Sequence, residues 1–465
     1  MRVLFVYTDI NTMGFGGRSY HFGIGILSAV LKQKKHQTKL FYVRAKAQMK
    51  YIFKEIKSFN PDIIGFTSDS TQIAYVKNIL LGLGSLKNTF TLLGGCHATL
   101  APECLAETGG LDAICLGEGE DTLTELADSL KGAREASDIR GLWFKSKERG
   151  IVKNPMRPFI ADLDSLPFSD YELFDYQKVI DSDFNRLSFM LSRGCPFNCT
   201  FCASPALGRL QQGNYVRFMS VARAIAELQY LKSKYRFKTI FFADDIFTIN
   251  KEFVSEFCQS YKKEIDIPFE TNARVEMISQ ELLSHLKEAG CFKIHMGIEH
   301  GNEDFRKKVL NRQMDNSQII DAFMKVRNSG IACKSYNIVG FPYETKQLHE
   351  DTVRLNRSIN PDGHVCYIFQ PYPGTKLYDI CQENNFIDKK RNIFKIFSRR
   401  DTILNMPDFS AAAIVRSQRN FSYRVYKNSS LRKALVYKIY YSGYAERLMR
   451  LAAPLKNFLR YFAMR

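Results

Sequence analysis

Two blocks of alternating strand and helix, separated by a hairpin pattern, predict an α/β fold. The expected architecture is a doubly wound parallel sheet, then a partial (β/α)6 barrel, then a helical C-terminal extension. Residues 1–131 set short apolar runs between stretches of helical periodicity, as strands buried on both faces require. From residue 187 the alternation resumes for six more strand–helix units. Residues 381–465 change character, with 18 Lys/Arg against 5 Asp/Glu in a mixed helical pattern.

Length and composition fit this division. A chain of 465 residues with 45% hydrophobic content is long enough for two or three cored domains. The expected divisions are 1–135 for the sheet, 136–185 for hairpin and linker, 186–378 for the barrel and 379–465 for the basic region. No apolar run reaches the ~18 residues of a membrane span. A strand pattern begins at Arg2, so a cytoplasmic protein without a signal peptide is expected. Eleven cysteines then imply a reducing compartment. Cys96, Cys104, Cys115, Cys258, Cys291, Cys333, Cys366 and Cys381 stand singly and read as small packing residues.

In the first block, strands are expected at 3–7, 39–43, 62–67, 91–93 and 113–116, and helices near 20–34, 48–58, 72–86 and 121–130. Ligands of such sheets sit beyond the strand C-termini. Three loops there carry polar groups and glycines: Thr67-Ser68-Asp69-Ser70-Thr71, Gly94-Gly95-Cys96-His97-Ala98-Thr99 and Gly117-Glu118-Gly119-Glu120. Glycine lets backbone approach a bulky ligand, although any parallel sheet needs glycines near its turns. Residues 141–154 read as a hairpin turning at Arg149-Gly150, expected to bridge the two main domains.

In the second block, strands are expected at 187–191, 239–243, 269–271, 293–296, 335–339 and 364–369. Helices fall at 221–235, 251–265, 280–289, 317–329 and 345–356. Functional side chains of parallel barrels lie at strand C-termini. After the first strand comes Ser-Arg-Gly-Cys-Pro-Phe-Asn-Cys-Thr-Phe-Cys-Ala-Ser-Pro, residues 192–205. Cys195, Cys199 and Cys202 form C-x3-C-x2-C. Three thiolates hold three irons of a four-iron cluster and leave the fourth open to a small molecule. The alternative, half of a zinc site, lacks a second C-x2-C or H-x3-H.

At these residues the sequence resembles the radical S-adenosylmethionine (SAM) enzymes, whose signature is this cysteine loop with an aromatic, here Phe201, before the third cysteine. The resemblance implies a [4Fe-4S] cluster whose open iron binds SAM and cleaves it to a 5'-deoxyadenosyl radical. It also implies roles for the strand ends. Asp244, with Asp245 as second choice, would take the SAM amino group; otherwise one of them caps the helix near Asn250. Arg274 would face the SAM carboxylate or the substrate, or else form a surface ion pair. Glu299, in Gly-Ile-Glu-His-Gly, would accept hydrogen bonds from SAM, and Arg312 matches a recurrent arginine. Val339 and Gly340 would border the adenine.

The first block, through "GGCHATLAPE", "DAICLGEGEDTLTEL" and the linker 161–168, resembles the flavodoxin-like cobalamin-binding domain that precedes the barrel in one radical SAM subfamily. That resemblance covers roughly residues 1–375. It implies cobalamin held by Ser68, Ser70, Gly95, His97, Gly117, Glu118 and Gly119. Some cobalamin domains carry Asp-x-His-x-x-Gly after the first strand. Here that place reads Asp9-Ile10-Asn11-Thr12, so no histidine of this loop is expected on cobalt. His97 is expected to cap the helix near Pro102 or to touch the cobalamin tail.

The family thus implied is the class B radical SAM methyltransferase type, methylating an unactivated carbon of a small-molecule or lipid-like substrate. The second reading is a radical rearrangement, cyclisation or C–C bond formation. A non-catalytic cobalamin sensor is disfavoured by the intact cysteine triad. A flavodoxin or ferredoxin would supply electrons, and no nucleic-acid module is recognisable. Between Arg416 and Arg465 stand 12 basic residues and one acid, Glu446, with aromatics interleaved. This is read as a solvated face, an anionic-membrane contact or a phosphate-bearing-substrate contact.

Overall fold

A computed structural model describes residues 1–10, 18–84, 89–132, 136–388 and 401–440. Its first sheet contains β1 (Arg2–Thr8), β2 (Gln37–Val43), β3 (Ile63–Thr67), β4 (Phe90–Gly94) and β5 (Ala113–Cys115), all parallel, in the order β2-β1-β3-β4-β5. The order reverses between β1 and β3, which places the ligand crevice at their C-terminal ends.

The hairpin forms where its pattern predicts, as β6 (Leu142–Ser146) and β7 (Gly150–Lys153). It does not bridge the domains. It adds antiparallel to β5 and completes a seven-stranded sheet. β5 would otherwise present an open edge, with unpaired N–H and C=O groups.

The second sheet begins with β8 (Arg186–Phe189). A two-residue ladder follows, β9 (Ser192–Arg193) against β10 (Arg217–Phe218). Then come β11 (Thr239–Phe242), β12 (Phe269–Ala273), β13 (Cys291–Glu299), β14 (Ala332–Val339) and β15 (Gly363–Ile368). The six long strands pair in chain order, all parallel. Burial along β14 alternates strictly: Cys333, Ser335, Asn337 and Val339 are buried under the outer helices, and the residues between them are half-buried. The inner face is therefore not filled as a closed barrel core would be.

Helix starts in this domain are set by side chains that satisfy otherwise orphaned N–H groups. Ser220, Asn250, Ser279, Asp315 and Thr345 accept from Arg223, Phe253, Leu282, Gln318 and Leu348. Asn250 itself caps its helix, so that role falls to neither Asp244 nor Asp245.

One hydrophobic core runs through both domains, joining Phe5, Ile24 and Leu123 to Tyr171, Phe174, Leu187 and Phe242. A second lies on the other face of the first sheet. The C-terminal helices Ala411–Tyr426 and Leu431–Tyr440 close the β15 side. Phe421, Tyr426 and Tyr437 are buried there, and His364 stacks on Tyr426 and Tyr437. These aromatics of the basic region serve the core. The basic stretch 441–465 lies outside the described residues.

Candidate active site

The cysteine loop leaves β9 and ends at the helix Ser204–Gly208. Gly194 turns it with φ +90°, and a Cβ there would fall 2.2 Å from the Tyr215 carbonyl oxygen. Only glycine serves this close approach. Cys199 is buried, and Cys195 and Cys202 are partly open. Burial raises the Cys195 thiol and pushes Cys202 up to about 12, and the thiols also act on one another electrostatically. Positive charge must therefore accompany their ionisation. Among the described residues, no three His, Cys, Asp or Glu side chains converge on a single metal-ion position. A cluster takes one thiolate per iron, so its ligands need not converge on one point.

The two adjacent acids after β11 divide the work. Asp244 is fully buried and turns back to the strand end. Its Oδ1 accepts from the Leu191 N–H at 3.0 Å and from the Ser192 hydroxyl. Burial lifts its carboxyl to about 6, and Oδ2 has no partner. Asp245 is exposed, and its charge falls on Cys195, Cys202, Cys96 and Tyr215. Asp245 thus acts on the thiols through its charge, while Asp244 fixes the loop that carries them.

Arg274 is buried, forms an ion pair with Glu276 and stacks 3.7 Å over the Phe197 ring of the cysteine loop. It is not a surface ion pair. Glu299 ends β13 at φ +67°, a strained conformation for a non-glycine residue. Burial raises its carboxyl, opposed by the charges of Arg312 and Arg274. Arg312 Nη1 lies 3.6 Å from Glu299 Oε1. Val339 is buried at the end of β14. Gly340 is not open to a ligand on its Cβ side: with φ +89°, a Cβ would meet Ile414 Cγ2 at 2.8 Å. A C-terminal helix fills the space expected for close approach.

At the C-terminal edge of the first sheet, an apolar cavity of about 330 Å³ opens toward the barrel. Gly65, Gly94, Gly95, Gly117 and Gly119 rim it, with Ile24, Leu27 and Phe66 as apolar walls. His21 lines it too, caps the helix Phe22–Gln33, and is pushed down to about 4 by burial. Glu118 borders the cavity, but its carboxylate is spent on the barrel. Its Oε1 pairs with Arg193 at 2.8 Å and with Arg217 at 2.9 Å, and Arg193 also reaches Glu120 at 2.7 Å. Arg193 lies two residues from Cys195, so this network ties the Gly-Glu-Gly-Glu loop to the cysteine loop.

Ser70 and His97 sit elsewhere. Ser70 Oγ is 3.0 Å from His97 Nδ1, and both line a second cavity of about 370 Å³ with Tyr372 and Gln370. His97 lies inside the short helix Cys96–Leu100, and its side chain caps nothing near Pro102. Ser68 is buried with its hydroxyl on the Asp69 carbonyl. Cys96 departs from its expected packing role, being exposed, whereas the other seven single cysteines are buried. The loop at 11–17 lies outside the described residues. Sequence reasoning missed Arg193 and Arg217 and gave Glu120 only as part of its glycine loop; their one signal was two acids in that loop, matched by arginines around the cysteines.

Comparison with known proteins agrees with this arrangement. The Radical SAM superfamily model matches residues 189–355 and the B12 binding domain model matches residues 10–127. An uncharacterized methyltransferase of Pyrococcus horikoshii is 34% identical over 369 residues, 78% of each chain. The chain belongs to the radical SAM superfamily. An anaerobic magnesium-protoporphyrin IX monomethyl ester cyclase of Rubrivivax gelatinosus is 26% identical over 81% of this chain and 69% of its own. In fold, this radical SAM protein is similar to the radical SAM methyltransferase TsrM from Kitasatospora setae solved with cobalamin and a [4Fe-4S] cluster. The TM-score is 0.67 and identity 15%, with coverage of 83% and 76%.

It is a radical SAM enzyme with a B12 binding domain, and its cofactors are a [4Fe-4S] cluster, SAM and cobalamin. The residues present suit that set. Three thiols with flanking cations make a soft donor set for iron. A glycine-rimmed apolar cavity at the sheet's switch point suits a bulky cofactor.

Proposed function

We propose that this enzyme methylates an unactivated carbon of a small-molecule substrate held between the two domains. One observation carries the reading: the Glu118–Arg193–Glu120 network fixes the rim of the glycine-lined cavity beside the cysteine loop. Two cofactors bound at these places would face one gap, where a substrate carbon could reach both. When bound, the cluster supplies the electron that cleaves SAM and cobalamin delivers the methyl group.

In this reading Cys195, Cys199 and Cys202 hold the iron, and Asp244 keeps their loop in place. Asp245 and Glu299 offer carboxylates to the SAM ammonium and hydroxyls. Buried aromatic and aliphatic walls keep water from the reacting carbon. A flavodoxin or ferredoxin provides electrons. Weak membrane contact is a finer part of the same reading. The helix Leu431–Tyr440 exposes Leu431, Leu435 and Ile439 on one side, with Arg432 and Lys438 beside them. Co-sedimentation with anionic vesicles, weakened by salt, is its test.

The reaction itself is tested with methyl-labelled SAM, a reductant and the small-molecule extract of a strain lacking the gene. Label in a new product, with both 5'-deoxyadenosine and S-adenosylhomocysteine, is expected. 5'-Deoxyadenosine without transferred label would instead favour cyclisation or rearrangement, the reading supported by identity to the Rubrivivax gelatinosus cyclase.

A further inference from the structure

Two guanidinium groups converge on one of the three thiols. Arg274 Nη1 lies 3.5 Å from Cys199 Sγ, and Arg312 Nη1 lies 3.9 Å from the same sulfur. Arg274 follows the end of β12, Arg312 comes from the loop between the helices Glu303–Lys308 and Asn316–Asn328, and they are 7% and 5% exposed. Each is held in its aim by other contacts. Arg274 is gripped by Glu276 and by the face of Phe197. Arg312 donates from Nη2 to the Gly297 carbonyl at 2.6 Å and pairs with Glu299. Cys195 and Cys202 have backbone N–H groups beside them, from Phe197 and Ser204; the charge of Arg274 also reaches Cys195, but guanidinium hydrogen bonds fall on Cys199. The loop is therefore electrostatically lopsided, with two fixed cations on its most buried cysteine.

We propose that Arg274 and Arg312 are positioning residues for electron entry, raising the reduction potential of the cluster through the Cys199 thiolate. The inference rests on the cluster reading above and goes beyond it. The step is a one-electron reduction: an external low-potential donor is oxidised, the cluster gains one negative charge, and no bond is made or broken. N–H donors and positive charge at a ligating sulfur favour the more negative form. Arginine keeps its charge at any working pH. Charge-assisted hydrogen bonds are roughly twice as strong as neutral ones, and the buried setting leaves them little screened.

The same guanidiniums could instead serve only the SAM carboxylate, and the experiment separates the two. The full chain is reconstituted anaerobically without SAM, and the cluster is titrated with redox mediators while its reduced signal is followed by electron paramagnetic resonance. Arg274→Gln and Arg312→Gln should each shift the midpoint to lower potential. The expected shift is a tenfold fall in the reduced-to-oxidised ratio at fixed poise, about 59 mV for one electron. Arg274, the closer group, should shift it more, and Arg274→Lys should recover part of the change by restoring charge. Unchanged midpoints with weakened SAM binding would overturn the proposal, as would Arg274→Lys shifted as far as Arg274→Gln. Loss of iron from the Gln and Lys variants alike would also overturn it, by making the arginines structural. A wild-type chain that takes up no iron would fail the cluster reading itself, a result distinct from all of these.

Discussion

Removing Arg193 should loosen the join between the two domains by an amount set by what it leaves behind. Arg193 donates to Glu118 at 2.8 Å and to Glu120 at 2.7 Å. Truncation to methionine keeps the aliphatic stem and deletes the charge. Glu118 keeps Arg217, which donates from Nη1 to Oε2 and from Nη2 to Oε1, each at 2.9 Å. Its charge therefore stays compensated. Glu120, only 4% exposed, loses its cation. Leaving one buried charge unpaired costs about 3–5 kcal/mol; the retained Arg217 puts the expected loss near the lower end, about 3 kcal/mol. Urea unfolding followed by Trp143, the single tryptophan and part of the first sheet through β6, measures it. Glu120→Gln in the Arg193→Met background should restore about half of the loss, because a neutral amide does not need a cation. A single-variant loss below about 1 kcal/mol, or strict additivity in the double variant, would refute the claim that this network joins the domains.

Other expectations follow from particular contacts. Gly340→Ala should destabilise the chain by about 1–3 kcal/mol, since φ is +89° and the new Cβ would press on Ile414. Combined with Ile414→Ala, the two losses should be less than additive in thermal or urea unfolding. Burial alone would raise Glu344, but His300 at 3.3 Å and His349 at 3.5 Å, close though imperfectly aligned, help hold it at about 2. Its contribution is thus intact above its unperturbed value of 4.5 and lost as pH falls toward 2. Glu344→Gln should cost on the order of 3 kcal/mol at pH 7 and nearly nothing at pH 2, read from urea midpoints across pH. A cost independent of pH would count against that coupling.

The strands were legible because buried parallel strands must be nearly continuous apolar runs, and helices between them must be amphipathic. The cysteine loop was legible because its chemistry is local: three ligands within eight residues need no distant partner to be recognised. What stayed hidden was long-range. Nothing near Gly340 announces that Ile414, from a helix far along the chain, fills its open side. Asp244 and Asp245 are neighbours of one residue type; only the fold separates the buried loop anchor from the exposed acid whose charge acts on the thiols. Glu118 read as a cofactor-loop acid because its arginine partners lie in the other domain. The hairpin read as a bridge because sequence shows its two strands but not the edge of β5 that they cover.

The most direct test of the account is the cofactor content of the purified chain. After anaerobic reconstitution with iron, sulfide and an excess of cobalamin, wild-type protein should retain four irons and about one cobalamin, as one switch-point crevice offers one site. Cys199→Ala should lose iron while keeping its cobalamin. A wild-type chain that holds iron but excludes cobalamin at saturating concentration would contradict the account.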